Sequence, residues 1–304
     1  MSSSETIRLD GKVVVVTGAG RGLGLAHAGL LAARGAHVVV NDIGGAGENP
    51  AVAAVEAIKA AGGVAIASAA DIATPEGGGA LIQQALDAFG RLDGLVHNAG
   101  ILRDRTIAKL SAEDVRDVMA VHLEAAFWLI QPAMAAMKVN GFGRIVLTSS
   151  SSGLFGNYGQ ANYAAAKMGL VGLQRVAQLE GAKSGILVNT IAPSARTRMT
   201  EDLLGPLADR LDPAHVAPLV AYLCSDACRQ GNRIYSAGGG RYAGVFVGLT
   251  PGWAYKGEGF ASPEDIAAHI DAIHCRDEFI VPESGQDELG LMLKALGAED
   301  LLGN

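Results

Sequence analysis

Along the first two thirds of the chain, short β-branched runs alternate with longer stretches rich in Ala and Leu. Lys12 to Thr17 reads as a strand, Leu23 to Arg34 as a helix, Ala36 to Asn41 as a strand and Pro50 to Ala61 as a helix. The same alternation continues through strands at Val64 to Ser68, Gly94 to Asn98, Gly143 to Ser149 and Ile186 to Ile191. The helices between them are read near Gly77 to Phe89, Ser111 to Lys138 and Tyr163 to Ser184. Strand followed by helix, repeated, is the pattern of a parallel sheet with crossover helices. The strands are continuously apolar, as in Val13-Val14-Val15-Val16, rather than alternating, so both faces of the sheet are expected to be covered. The order predicts an α/β fold, a doubly wound parallel sheet forming a single domain over residues 11 to 250. Residues 1 to 10 read as a polar N-terminal tail. Residues 251 to 304 read as a C-terminal extension with one helix at Pro263 to Ile273, capped by Ser262.

Composition narrows the classes. With 304 residues, 49% of them hydrophobic and 18% charged, the chain can bury one sizeable core. A net charge of −7 and the lack of a basic stripe argue against a nucleic-acid partner, because phosphate binding needs clustered Lys and Arg. No apolar run reaches the roughly 18 residues that span a bilayer, so no membrane partner is expected. The tail has no apolar leader segment, and Cys224, Cys228 and Cys275 cannot all pair. Reduced thiols and a cytoplasmic location are therefore expected. Cys224 and Cys228, four apart in a helical-looking segment, share one face, but no further ligands at zinc spacing accompany them, and no metal is expected.

A glycine-rich turn, Thr17-Gly18-Ala19-Gly20-Arg21-Gly22-Leu23-Gly24, follows the first strand and leads into an apolar helix. Such a turn lets a pyrophosphate approach the backbone at a helix N-terminus, as in Rossmann-type sheets. Its spacing departs from strict GxGxxG, since Leu23 stands where the third glycine would be. An ordinary glycine-rich turn is the plain alternative. Gly18, Arg21, Gly22, Leu23 and Gly24 are the expected phosphate-binding positions. Asp42 closes the second strand 24 residues after Gly18, where an acid can accept hydrogen bonds from both ribose hydroxyls and repel a 2′-phosphate. This favours NAD, while Arg21 pulls toward the 2′-phosphate form. Asp71, with Ile72 beside it, ends the third strand and could meet the adenine amino group or simply cap a helix.

Tyr163-Ala164-Ala165-Ala166-Lys167 sets a phenol and an ammonium on one helical face. A nearby cation favours the phenolate of a tyrosine that would otherwise be a poor base at neutral pH. Ser150, thirteen residues earlier at a strand end, could hydrogen-bond a substrate oxygen whose proton Tyr163 takes. YxxxK alone is weak; with the glycine turn, Asp42 and Ser150 it becomes specific.

On these residues, together with His97-Asn98-Ala99-Gly100, the chain resembles the short-chain dehydrogenase/reductase family over residues 10 to 250. The resemblance implies an NAD-dependent enzyme that oxidises a secondary alcohol to a ketone. Tyr163 would transfer the proton, Ser150 would position the oxygen, and Lys167 would bind the nicotinamide ribose. Asn98, Ala99 and Gly100 would lie beside the cofactor, and backbone from Ile191 to Thr197, including Pro193, would face the carboxamide. The family commonly has asparagine where this chain has His122 and glycine where it has Ser194. His122 is either a participant in a proton relay or a structural residue. The resemblance also implies a homo-tetramer or homo-dimer, and the helices around Leu123 to Lys138 and Tyr163 to Glu180 carry apolar residues on more than one face.

Three stretches resemble one branch of the family, the dehydrogenase unit of the peroxisomal multifunctional enzyme, known for 3-hydroxyacyl-CoA and 17β-hydroxysteroid oxidation. They are Val40 to Gly45, Asn98 to Arg105 and Gly156 to Tyr163, with Val121-His122-Leu123 beside them. A stand-alone version is expected, since the chain closes on Leu302-Gly303-Asn304 rather than a peroxisomal tripeptide. The implied substrate is an acyl-CoA or a hydrophobic steroid alcohol. Arg103, Arg105, Arg196 and Arg198 could meet a CoA phosphate, and Leu154, Phe155, Met199 and Leu203 could line a steroid slot. Two alternatives stand beside this reading. One is an NADPH-dependent ketoacyl-thioester reductase, against which Asp42 argues. The other is a catalytically inactive cofactor-binding regulatory protein, which only His122 and Ser194 invite.

Overall fold

The computed structural model describes residues 6–44, 49–196 and 210–298. The chain divides into two compact units, Met1–Gly244 and Val245–Asn304. The first holds a sheet built from β1 (Val13–Thr17), β2 (His37–Asn41), β3 (Val64–Ser68), β4 (Gly94–His97), β5 (Gly143–Thr148), β6 (Ile186–Pro193), β7 (Ile234–Gly238) and β8 (Arg241–Val245). The strand order is β3-β2-β1-β4-β5-β6-β7-β8, and every pairing from β3 to β7 is parallel. This is the expected doubly wound sheet. β7 and β8 are joined by Gly239 and Gly240 alone, with φ of 57° and 79°. A two-residue link with positive φ at both positions is the turn of an antiparallel hairpin.

The apolar strands are buried on both faces because successive side chains point to opposite sides. Val14 and Val16 enter the core formed with α1 (Gly22–Ala33), α2 (Pro50–Ala60) and α8 (Ala217–Leu223). Val13 and Val15 enter the other, with α3 (Pro75–Phe89), α5 (Ala125–Asn140) and α7 (Ala161–Gly181). Two short helices complete this unit, α4 (Ala112–Met119) and α6 (Ser151–Phe155).

Several boundaries differ from the sequence expectation. The stretch read as one helix from Ser111 is α4 and α5 joined by a π turn at Ala120–Glu124. Between Ala112 and Asn140 it is long and apolar enough to cross a membrane by length and composition, contrary to the expectation that no such run exists, but 44% of its most apolar window is buried within the fold. Its buried residues, Leu129, Ala133 and Met137 among them, pack on the sheet. Helix α7 starts two residues before Tyr163, which puts that tyrosine in the first turn. α8 ends at Leu223, so Cys224 and Cys228 are not on one helical face; both are buried free thiols packed in the core.

In the second unit, Leu249 and Ile280 exchange backbone hydrogen bonds of 2.8 and 3.0 Å. Phe246 stacks on Phe279, and Trp253 on His269 at 4.0 Å between centroids. The expected helix after Ser262 is two shorter ones, Pro263–Ala268 and Ile270–His274, separated at His269, and a third follows at Gly285–Leu296. None of these three helices buries a residue.

Candidate active site

The sheet order reverses between β1 and β4, and a cleft of about 390 Å³ opens at the C-terminal ends of these strands. This is the switch point at which open α/β sheets bind ligands. The glycine turn forms its floor. Gly18 has φ +60°, and a Cβ there would lie 2.7 Å from Ala99 Cα. Gly22, with φ +53°, opens α1, whose N-cap Arg21 makes no side-chain cap and whose first turn holds no acid. The first N–H groups of the helix and its positive dipole end therefore face the cleft without a competing anion, which fits a pyrophosphate. Gly18, Arg21, Gly22 and Leu23 line the cleft. Gly24 does not; it lies beneath, where a Cβ would run into Gly18 O and come within 2.7 Å of Asn98 Nδ2. At this position the lack of a side chain lets the start of α1 pack directly under the turn. Asn98 donates to Thr17 O at 3.1 Å and Gly18 O at 3.2 Å, tying β4 to the turn.

Asp42 stands at the end of β2 with both carboxylate oxygens engaged. Oδ2 accepts from Gly20 N at 3.1 Å and Oδ1 from Gly44 N at 3.0 Å. Each oxygen keeps a second lone pair for a ribose hydroxyl. Asp71 and Ile72 line the same end of the cleft. Asp71 does not cap α3, a role Thr74 fills by accepting from Gly77 N; its Oδ1 accepts from Ala73 N at 3.1 Å. Ala99, Gly100 and Pro193 line the cleft as well, whereas Thr197, Arg198, Met199 and Leu203 lie outside the described residues.

At the opposite end Ser150, Tyr163, Lys167 and His122 converge. Ser150 is the N-cap of α6, accepting from Ser152 N at 3.1 Å, and lines the cleft together with Tyr163. Lys167, one turn along α7, donates to Thr148 O at 2.5 Å with Nζ 5.5 Å from the Tyr163 ring centre. Burial pushes the Lys167 ammonium down to about 7. The phenol departs from the expectation of an ammonium-favoured phenolate. Burial raises the Tyr163 pKa, and the charge of Asp104 raises it further, against the opposing effect of Ser150. The reason is desolvation, which disfavours the charged form of both groups and leaves the lysine only part-charged near neutrality.

His122 sits in the π turn, 1% exposed, with its ring edge-on to Tyr163 at 5.1 Å. π turns of this kind recur at functional sites because the extra residue re-aims side chains. Its Nε2 lies 2.8 Å from Ile101 O and 3.0 Å from Ile101 N, so the backbone of Ile101 holds that edge of the ring, while Nδ1 is buried without a partner among the described residues. Burial holds this imidazole well below its usual pKa, so it is neutral at pH 7. A Cβ at Gly100 would collide with its Cε1. Beneath it, His97 Nε2 meets the His122 carbonyl oxygen at 2.9 Å.

Sequence reasoning missed Asp104 and Gln160, whose side chains hydrogen-bond at 2.7 Å across 56 residues of chain. Both fall in stretches that carry the branch resemblance, the one signal that could have found them. Two of the arginines expected to meet CoA are otherwise engaged, and Arg198 lies outside the described residues. Arg103 pairs with Asp117 at 3.4 Å and Arg105 with Asp114 at 2.9 Å, so neither is an uncompensated cation. Leu154 and Phe155 lie in α6 and do not line the cleft.

Comparison with known proteins places this geometry. A family model described as short chain dehydrogenase matches residues 12–205. The peroxisomal multifunctional enzyme type 2 of Drosophila melanogaster is 49% identical over 79% of this chain, which spans 41% of that enzyme's length. Its full-length structure superposes with a TM-score of 0.83 at 34% identity, covering 96% of this chain and 50% of that one. The hydroxyacyl-CoA dehydrogenase ChsB1 of Mycobacterium tuberculosis is 43% identical over 76% of this chain and 78% of its own. These findings correct the cytoplasmic expectation, since the matching multifunctional enzymes of fly, mouse and yeast all carry peroxisomal names. The physical grounds for that expectation, polar tail and reduced thiols, do not distinguish cytosol from a compartment reached by a receptor-read address.

Proposed function

Because the chain belongs to the short-chain dehydrogenase family, we propose that it is an NAD-dependent oxidoreductase that oxidises the secondary alcohol of a 3-hydroxyacyl-CoA to the ketone. The observation that carries this reading is the convergence of Ser150, Tyr163 and buried Lys167 in one cleft with the open helix N-terminus and Asp42. A bound nicotinamide supplies the hydride acceptor. Ser150 holds the substrate oxygen, and the Tyr163 oxygen takes its proton or returns it in reverse. Lys167, positioned by Thr148 O, would hold the nicotinamide ribose. His122 Nδ1, buried without a protein partner, meets a water that passes the proton onward, so that the imidazole stands in for the amide common in the family.

The thioester substrate is supported by the name of the mycobacterial relative and by the fly enzyme's likeness over nearly the whole chain. NAD is supported by Asp42, whose carboxylate would repel a 2′-phosphate. Association into a homo-dimer or homo-tetramer is supported by apolar side chains that α5 and α7 leave exposed, Phe127, Val176 and Leu179 among them.

The test is absorbance of the reduced nicotinamide with NAD or NADP against a medium-chain 3-hydroxyacyl-CoA and, in parallel, 17β-estradiol. A rise with NAD and the thioester is expected. A rise with the steroid alone would overturn the substrate, and a preference for NADP would overturn the cofactor. Tyr163→Phe should lower turnover by orders of magnitude while leaving NAD affinity nearly unchanged.

A further inference from the structure

Beneath His122 lies a second imidazole, that of His97, the last residue of β4 and 1% exposed. Its two nitrogens face different elements. Nδ1 lies 3.2 Å from Thr17 Oγ1 at the end of β1, and Nε2 lies 2.9 Å from the His122 carbonyl oxygen in the π turn. The partners fix which nitrogen carries the hydrogen. A carbonyl oxygen can only accept, so Nε2 donates to it. Thr17 Oγ1 already accepts from Asn98 N at 3.0 Å and Ala99 N at 3.1 Å, which fills both of its lone pairs. The hydroxyl is left to donate, and Nδ1 is the acceptor within its reach. Both ends of the ring give the same answer, the neutral Nε2–H tautomer. Burial agrees, pushing the His97 pKa down to about 4.

His122 is consequently gripped twice by one stretch of chain. His97 holds its carbonyl, and the backbone of Ile101 holds the Nε2 edge of its ring at 2.8 and 3.0 Å. A residue fixed both at its main chain and at its ring has little freedom in the torsions between, and this ring stands edge-on to Tyr163 at 5.1 Å. Thr17 carries the same chain of bonds back to the glycine turn, because it immediately precedes Gly18.

We propose that His97 is a positioning residue for His122: locked in its Nε2–H tautomer by the Thr17 hydroxyl, it donates to the His122 carbonyl and keeps the π turn aiming its imidazole at Tyr163. His97 itself does not line the cleft, so it acts only through the residue it holds. An apolar side chain in its place would take this donor from a buried carbonyl, and the turn would shift to recover a partner. The proposal rests on the place given above to His122 in the proton path.

The experiment is a double-mutant cycle in the full chain, read by steady-state kinetics and by NAD titration. His97→Leu should lower kcat by about tenfold while KM and the Kd for NAD change by less than about twofold. In a His122→Ala background the same substitution should cost almost nothing, because the ring it acts through is already gone. His97→Gln, whose amide can donate where Nε2 did, should restore most of the turnover. Equal losses in the two backgrounds would overturn the proposal. A second measurement decides the matter if His97→Leu fails to fold, as circular dichroism would report. In the parent chain carrying ¹⁵N-histidine, with the His97 signals assigned by their loss in His97→Gln, Nε2 should be protonated and Nδ1 bare at pH 7; the reverse tautomer would overturn the proposal. Full turnover in His122→Ala would instead defeat the place of His122 in the proton path, and the two failures are separately visible.

Discussion

Replacing Lys167 with methionine should make the protein more stable and enzymatically dead. The fold holds an ammonium at about 7 that would titrate at 10.5 in the unfolded chain. A difference of 3.5 units corresponds to roughly 5 kcal/mol, and at pH 7, where the buried group is half neutral, somewhat over 4 kcal/mol of it remains as a cost. Methionine keeps most of the apolar stem and forfeits the bond to Thr148 O, worth about 1–2 kcal/mol. The balance is a gain of about 2–3 kcal/mol, or roughly 4–6 °C in Tm for a chain of this size. The sign also fixes a pH dependence. Between the folded and unfolded values, pH 7 to 10.5, the unfolded chain binds the extra proton, so the parent regains stability as pH rises while the variant does not. The assay is thermal unfolding of both proteins without cofactor at pH 7 and pH 9.5. The variant's advantage should shrink at the higher pH. A variant less stable than the parent at pH 7, or an advantage independent of pH, would refute the argument from burial.

Three other outcomes follow from the same geometry. Asp42→Ala should raise the NADP-to-NAD ratio of kcat/KM by about ten- to a hundredfold, measured by steady-state kinetics, and should lower Tm because the N–H groups of Gly20 and Gly44 lose their acceptor. Gly100→Ala should displace His122 and reduce turnover more than it reduces NAD affinity, as kinetics and cofactor titration would report. His27 is fully buried with neither nitrogen bonded, and burial depresses its pKa to about 3. Stability should therefore fall as pH drops from 6.5 toward 3, where the unfolded chain takes the proton and the folded one refuses it. His27→Leu should flatten that limb in acid denaturation, and an unchanged limb would count against it.

Six of the seven parallel strands were legible because continuous apolar runs such as Val13 to Val16 leave few other readings. The glycine turn, Asp42 and the Ser150, Tyr163 and Lys167 set were legible because their chemistry depends on spacing along the chain. What escaped depends on contacts across it. Ile234–Gly238 and Arg241–Val245 mix polar, small and exposed residues, so no apolar run marks β7 and β8. The π turn leaves no trace in the helical period of its neighbours. Asp104 and Gln160 are 56 positions apart, and each alone is an ordinary loop residue. The state of the phenol was misjudged for a related reason: proximity of Lys167 can be read from the sequence, but the loss of water around both groups cannot.

The π turn between α4 and α5 also constrains how this chain can be shortened. A π turn is a helix that has absorbed one surplus residue, and each residue of an α-helix advances about 100° around the axis. Deleting any one of Ala120 to Glu124 would let the whole span from Ala112 to Asn140 become regular, at no loss of helical character. Because the five-residue π turn covers about the same rotation as four residues of α-helix, the stripe of Leu129 and Ala133 would keep its register with Val118. What would be lost is the aim of His122, which would leave its place beside Tyr163. The surplus residue serves the side chain it presents to the cleft rather than the packing on either side, so the helix would outlast its removal while the site would not.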